Sequence, residues 1–167
     1  MMISILLTLV VAQKETYTVS LTVSGPNCED CKNDIENGLA RLSGFVSASA
    51  AVDVAKLTGT ATVTLEETAL VSRANVEKAL RQFTITGMTV VMRGEVVGPA
   101  GANLSFSAKG SGQGLVIAPG IAEGDAERFE QFKAAGAGKY SVTAEVVPVS
   151  GGGQILRMKS YSATSYK

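Results

Sequence analysis

The chain has 167 residues, with 15 Lys plus Arg balanced by 15 Asp plus Glu. That neutrality argues against nucleic acid or an anionic membrane surface as a partner, since both are held mainly by excess positive charge. The absence of His removes the commonest metal ligand and the commonest general base, and no catalytic constellation is recognisable. The expectation is a binding protein rather than an enzyme.

At the start of the chain, Ile3 to Ala12 is a mostly apolar run, too short to span a bilayer, that ends in Val10-Val11-Ala12 before the polar Gln13-Lys14-Glu15. This pattern fits a secretory signal over residues 1–12, cleaved after Ala12. No Lys or Arg precedes the run, so the terminal amine supplies the only positive charge there. Export predicts a periplasmic or extracellular protein with no membrane span after cleavage, working where a Cys pair can be held as a disulfide.

Residues 13–94 read as a first domain. Thr16 to Val23 alternates strictly, with Tyr17, Val19, Leu21 and Val23 on one side, as in a half-buried strand. Gly25-Pro26-Asn27 breaks it. A helix is expected from about Glu29 to Leu42, with Ile35, Leu39 and Leu42 inward, Asn27 as its cap and acid from Glu29 and Asp30 in its first turn. Phe45 to Val54 and a run from Thr60 read as a hairpin with a turn over Lys56 to Gly59. Ser72 caps a second helix carrying Val76, Leu80 and Phe83, Gly87 stops it, and a strand follows from Met88. The order strand, helix, strand, strand, helix, strand predicts a ferredoxin-like α+β domain, with both helices on one face of an antiparallel sheet.

Residues 95–167 change texture, with Gly-rich turns at Gly98 to Gly101 and Gly110 to Gly114. Short strands are expected at Asn103 to Gly110 and Gly114 to Pro119. A helix with Phe129 and Phe132 inward follows from Glu123, then a hairpin of Lys139 to Val149 with a strand from Gln154. This is a β-rich domain, an OB-like barrel or a small sandwich. The strand from Met88 runs on toward Val97, so the two units share a strand or pack tightly. Arg157, Lys159 and Tyr161 alternate on the last strand and read as a solvated face. "GSGQG" lacks the Lys-Ser/Thr of a phosphate loop and reads as a turn. Met88 and Met92 fall on one strand face and read as core. Glu66-Glu67 sits in a loop with no partner evident.

The chemistry concentrates in "GPNCEDC", Gly25 to Cys31, which holds the only two cysteines. One Cys in the loop and one at the helix start bring two sulfurs toward one point, and the helix N-terminus favours thiolate over thiol. Three uses compete: ligands for a soft metal, a thiol/disulfide couple, or an inert disulfide. Two thiolates satisfy Cu(I) but leave a tetrahedral Zn(II) site incomplete, so that zinc would need Glu29, Asp30, Asn27, water or another molecule, with Asp30 as the expected oxygen donor. The strand and helix order does not match a thioredoxin-like redox protein. A disulfide closing so small a loop stabilises little.

The segment from Tyr17 to about Val91 resembles the heavy-metal-associated domain of copper chaperones, soft-metal transport ATPases and mercury-binding periplasmic proteins. The family's Gly-Met-x-Cys-x-x-Cys stands here as Gly25-Pro26-Asn27-Cys28-Glu29-Asp30-Cys31, with Pro26 in place of the Met. Further matches are Gly44-Phe45-Val46 opening the second strand, Ala61-Thr62-Val63-Thr64 in the third, "VEKAL" at Val76 to Leu80, and Gly87. The resemblance implies a metal site at Cys28 and Cys31; ligand count favours Cu(I), with Zn(II) or Hg(II) open, and a protein partner for metal transfer is expected. The alternatives are an exported interaction scaffold with an oxidised or degenerate site, or a thiol/disulfide redox protein.

Overall fold

A computed structural model describes residues 14–166. The expected signal segment, residues 1–12, lies outside the described residues.

The first half follows the alternation and helical spacing of the sequence. Its elements are β1 (Thr16–Ser24), α1 (Cys31–Leu39), β2 (Phe45–Asp53), β3 (Thr58–Glu66), α2 (Arg73–Ala79) and β4 (Thr84–Ala100). These strands stand in the order β2-β3-β1-β4, all antiparallel to their neighbours. Tyr17, Val19, Leu21 and Val23 of β1 are buried, together with Ile35 and Leu39 of α1 and Val76 and Leu80 at α2. Both helices therefore lie on the face that these alternate β residues present, as period-2 and period-3.6 patterns meeting in one core require. Ser72 caps α2 by accepting the Asn75 N–H at 3.1 Å.

Three local expectations are corrected. The helix α1 begins at Cys31, with Asp30 and not Asn27 at its N-cap, and no side chain caps it. Residues 28–30 are spent on a bend and turn, closed by the Cys31 N–H donating to the Cys28 carbonyl at 3.2 Å. The helix also ends at Leu39; Leu42 is still buried, carried inward by the turn in which its N–H donates to the Leu39 carbonyl at 3.0 Å. Gly87 does not stop α2 but lies within β4, where the β1–β4 register shifts between Thr22 and Val23. A Cβ at Gly87 would stand 2.5 Å from Thr22 Oγ1, so the close strand approach selects glycine there.

The second half contains β5 (Asn103–Ala108), β6 (Gly114–Pro119), α3 (Asp125–Ala135), β7 (Gly138–Val149) and β8 (Gly153–Ala163). The order β4-β5-β6-β8-β7 closes through a β4–β7 pairing, and β6–β8 is the parallel contact. The β-rich half is thus a closed five-stranded barrel, not a sandwich. Phe106, Ile117, Val142, Leu156 and Met158 fill it, while Phe129 and Phe132 of α3 are buried against it. β4, 17 residues long, pairs β1 over Thr84–Val91, β7 over Thr89–Val96 and β5 over Gly94–Ala100. The position between residues 94 and 95, where the sequence suggested a division, falls inside this strand. No helix among the described residues is long and apolar enough to cross a membrane.

Candidate functional site

β1 delivers the chain to a loop, Gly25 to Asp30, whose course is set at both ends. Gly25 adopts φ 107°, open to glycine and rare for any side chain. Its N–H donates to the Leu57 carbonyl at 2.9 Å, which ties the loop to the turn between β2 and β3. Pro26 is buried. An apolar side chain is thus retained where the resembled motif has Met.

Cys28 is exposed, whereas Cys31, the first residue of α1, is only 4 % exposed. Their Cα atoms stand 5.3 Å apart and the two sulfurs are bonded to each other. The carboxamide oxygen of Asn27 lies 3.9 Å from Cys31 Sγ. Glu29, Asp30 and Lys32 point to solvent. Among the described residues, no group of three or more Cys, His, Asp and Glu converges where a metal could sit. The sulfur pair therefore stands by itself, and Asp30 is not drawn into a larger ligand set.

The nearby turn has its own electrostatics. The Lys56 ammonium lies 2.9 Å from Asp53 Oδ2, and the Lys56 N–H donates to Asp53 Oδ1 at 3.1 Å. Together they hold the Asp53 carboxyl below its ordinary value.

The remaining sequence candidates fall elsewhere. Met88 and Met92 are buried in the core. Residues 109–113 join β5 to β6, with Gly110 and Gly112 at positive φ, and Gly114 opens β6. On β8, Arg157 stands opposite Glu145, and Lys159 is exposed. Tyr161, expected on that solvated face, instead packs its ring 4.6 Å from Phe132.

Two features escaped sequence reasoning. Glu67 has partners that the sequence did not reveal: in the turn after β3 it is buried and held by Arg93 Nη2 at 2.6 Å, with Lys109 Nζ at 3.5 Å. The cations lie far along the chain, Arg93 on β4 and Lys109 in the turn after β5, and no local pattern announces them. Leu57 takes a left-handed backbone at φ 53°, which its residue type disguises.

Residues 20–85 match the family model of the heavy-metal-associated domain. That family implies a ferredoxin-like fold and binding of a heavy-metal ion, and the order β2-β3-β1-β4 with two helices on one face agrees with it. No curated protein and no solved structure gives a significant match to the chain.

Proposed function

Starting from a heavy-metal-associated domain in the N-terminal half, we propose that the protein is an exported carrier that binds a soft metal ion between Cys28 and Cys31 and passes it on. The observation that carries this reading is the sulfur pair itself, one sulfur exposed and one at the first residue of α1, inside the matched segment. The bonded pair is the oxidised form. Two electrons and two protons from a thiol reductant convert it to two thiols, and an incoming ion displaces both protons. Thiolates are soft donors, and two suffice for Cu(I). With no group of three or more such ligands among the described residues, Cu(I) is favoured over Zn(II), which normally needs four. Hg(II) remains a second soft candidate. Release follows by ligand exchange, with a partner protein's thiolates replacing Cys28 and Cys31 one at a time. The protein is a carrier and not a catalyst in this account.

The barrel is read as OB-like, since its five strands follow the order β4-β5-β6-β8-β7 with α3 between β6 and β7. Its role in this reading is a docking surface for the transfer partner.

The bond between the sulfurs favours one alternative, an exported scaffold whose thiols stay oxidised. Thiol counting separates the two. The carrier gives two free thiols after mild reduction and none reactive once one equivalent of Cu(I) is added. The scaffold keeps its disulfide under mild reductant and takes up no metal. Fast exchange with a small disulfide would instead mark a redox protein.

A further inference from the structure

The turn joining β2 to β3 carries the one non-glycine residue with positive φ among the described residues, Leu57. In that region Cβ crowds the following carbonyl, so glycine or Asn is the usual occupant. Strained backbone of this kind persists only where its surroundings hold it, and it gathers where geometry is used. The Leu57 side chain does not do the holding, since it is 51 % exposed.

The bracing comes from the turn. The Leu57 N–H donates to the Val54 carbonyl at 3.3 Å, and Asp53 grips Lys56 through both side chain and backbone. What the turn presents is the Leu57 carbonyl, aimed at the Gly25 N–H. This bond continues the β1–β3 ladder one step past Ser24–Thr58, into the loop that carries Cys28. A residue at φ 53° and a residue at φ 107° therefore meet through one hydrogen bond at the root of the thiol loop.

We propose that Leu57 is a positioning residue for the thiol pair: its left-handed backbone aims the carbonyl that anchors Gly25, and this anchor sets how readily the sulfurs of Cys28 and Cys31 converge. Its consequence for metal affinity rests on the carrier reading above, whereas its consequence for the sulfurs needs no metal.

The test uses the full chain in a glutathione redox buffer, reading the ratio of disulfide to dithiol, with thermal melting to confirm folding. Leu57→Gly keeps the positive φ without steric cost and should hold the wild-type ratio within about twofold. Leu57→Ile keeps the apolar side chain but resists that backbone, and should lower the ratio by about threefold to tenfold. Competition for Cu(I) against a small chelator should weaken in the same order. If Leu57→Ile does not fold, Gly25→Ala reads the same link from the other side. The nearest atom to its added Cβ is 3.9 Å away, so backbone geometry and not crowding drives the predicted fall. A folded Leu57→Ile chain with the wild-type ratio overturns the proposal, as does a Leu57→Gly chain that falls as far as Leu57→Ile. A wild-type chain that takes up no Cu(I) but shows the ordering in glutathione overturns the carrier reading and supports this inference.

Discussion

Arg93 donates to Glu67 Oε1 from both its Nε, at 2.7 Å, and its Nη2, at 2.6 Å. Glu67 follows the end of β3, and Arg93 sits in β4 where that strand leaves β1 and enters the barrel. The pair therefore stands at the junction of the two halves. Lys109 completes it, reaching both Glu67 and Glu15. The Glu67 side chain is 6 % exposed while Arg93 keeps 31 %, so the carboxylate depends on its partners more than they depend on it. Arg93→Ala is expected to cost about 2–4 kcal/mol, mostly because the buried Glu67 carboxylate is left without its two shortest contacts. Urea denaturation reads this, and a loss comparable to an exposed pair would contradict it.

A strand shared by the two halves of one sheet couples their unfolding. β4 gives its first part to β1 and its second to β5 and β7. The intact chain is predicted to melt in one cooperative transition by circular dichroism and by intrinsic tyrosine fluorescence alike. A fragment starting at Glu95 lacks Thr89 to Gly94, the strand segment that pairs Glu145 to Tyr140 of β7. It should stay unfolded, whereas a fragment starting at Thr84 should recover the barrel.

Gly94 lies where β4 touches β5 and β7 at once, opposite Ala108 and Tyr140. A Cβ there would come within 2.5 Å of the Phe106 ring carbons. Gly94→Ala should cost about 1–3 kcal/mol by overpacking. Gly98, on the same strand, has nothing within 4 Å of the same added atom. Gly98→Ala should therefore be close to neutral, and equal losses at the two sites would refute the steric account.

Burial pushes the Tyr17 hydroxyl up to about 12 from its ordinary 10, although the Val71 N–H pulls it down. The neutral phenol is the form the fold uses: it donates to the Ala69 carbonyl at 2.7 Å and accepts the Val71 N–H at 2.9 Å. The unfolded chain gives up that proton at lower pH than the folded one. The stabilisation is thus complete below pH 10 and is lost as pH rises through about 12, amounting to on the order of 3 kcal/mol. Tyr17→Phe should cost about 1–3 kcal/mol at neutral pH. It should also flatten the decline in stability between about pH 9 and about pH 12 relative to wild type.

Much of this molecule was readable because its signals are local. The alternation at Tyr17, Val19, Leu21 and Val23, and the cap at Ser72, each act within a few residues. The barrel's strands and the inward Phe129 and Phe132 followed the same rules. At the site, the meeting of the two sulfurs was legible from spacing, since residues three apart at a helix start are neighbours. What escaped depends on distant chain segments. Barrel closure is a β4–β7 pairing far apart in sequence, and the partners of Glu67 lie on β4 and beyond β5. Gly87 reads as a helix stop because a glycine in a strand and a glycine after a helix look alike until the Thr22 hydroxyl is seen against it. Leu57 gave no signal, since leucine is not the residue that a left-handed turn normally takes.

The most direct test of the carrier account is a native mass spectrum of the reduced full chain given equimolar Cu(I), beside the Cys28→Ser/Cys31→Ser chain. One copper per wild-type chain, absent from the double variant, is the predicted result. A reduced wild-type chain that stays copper-free, or a double variant that still carries one ion, would contradict it.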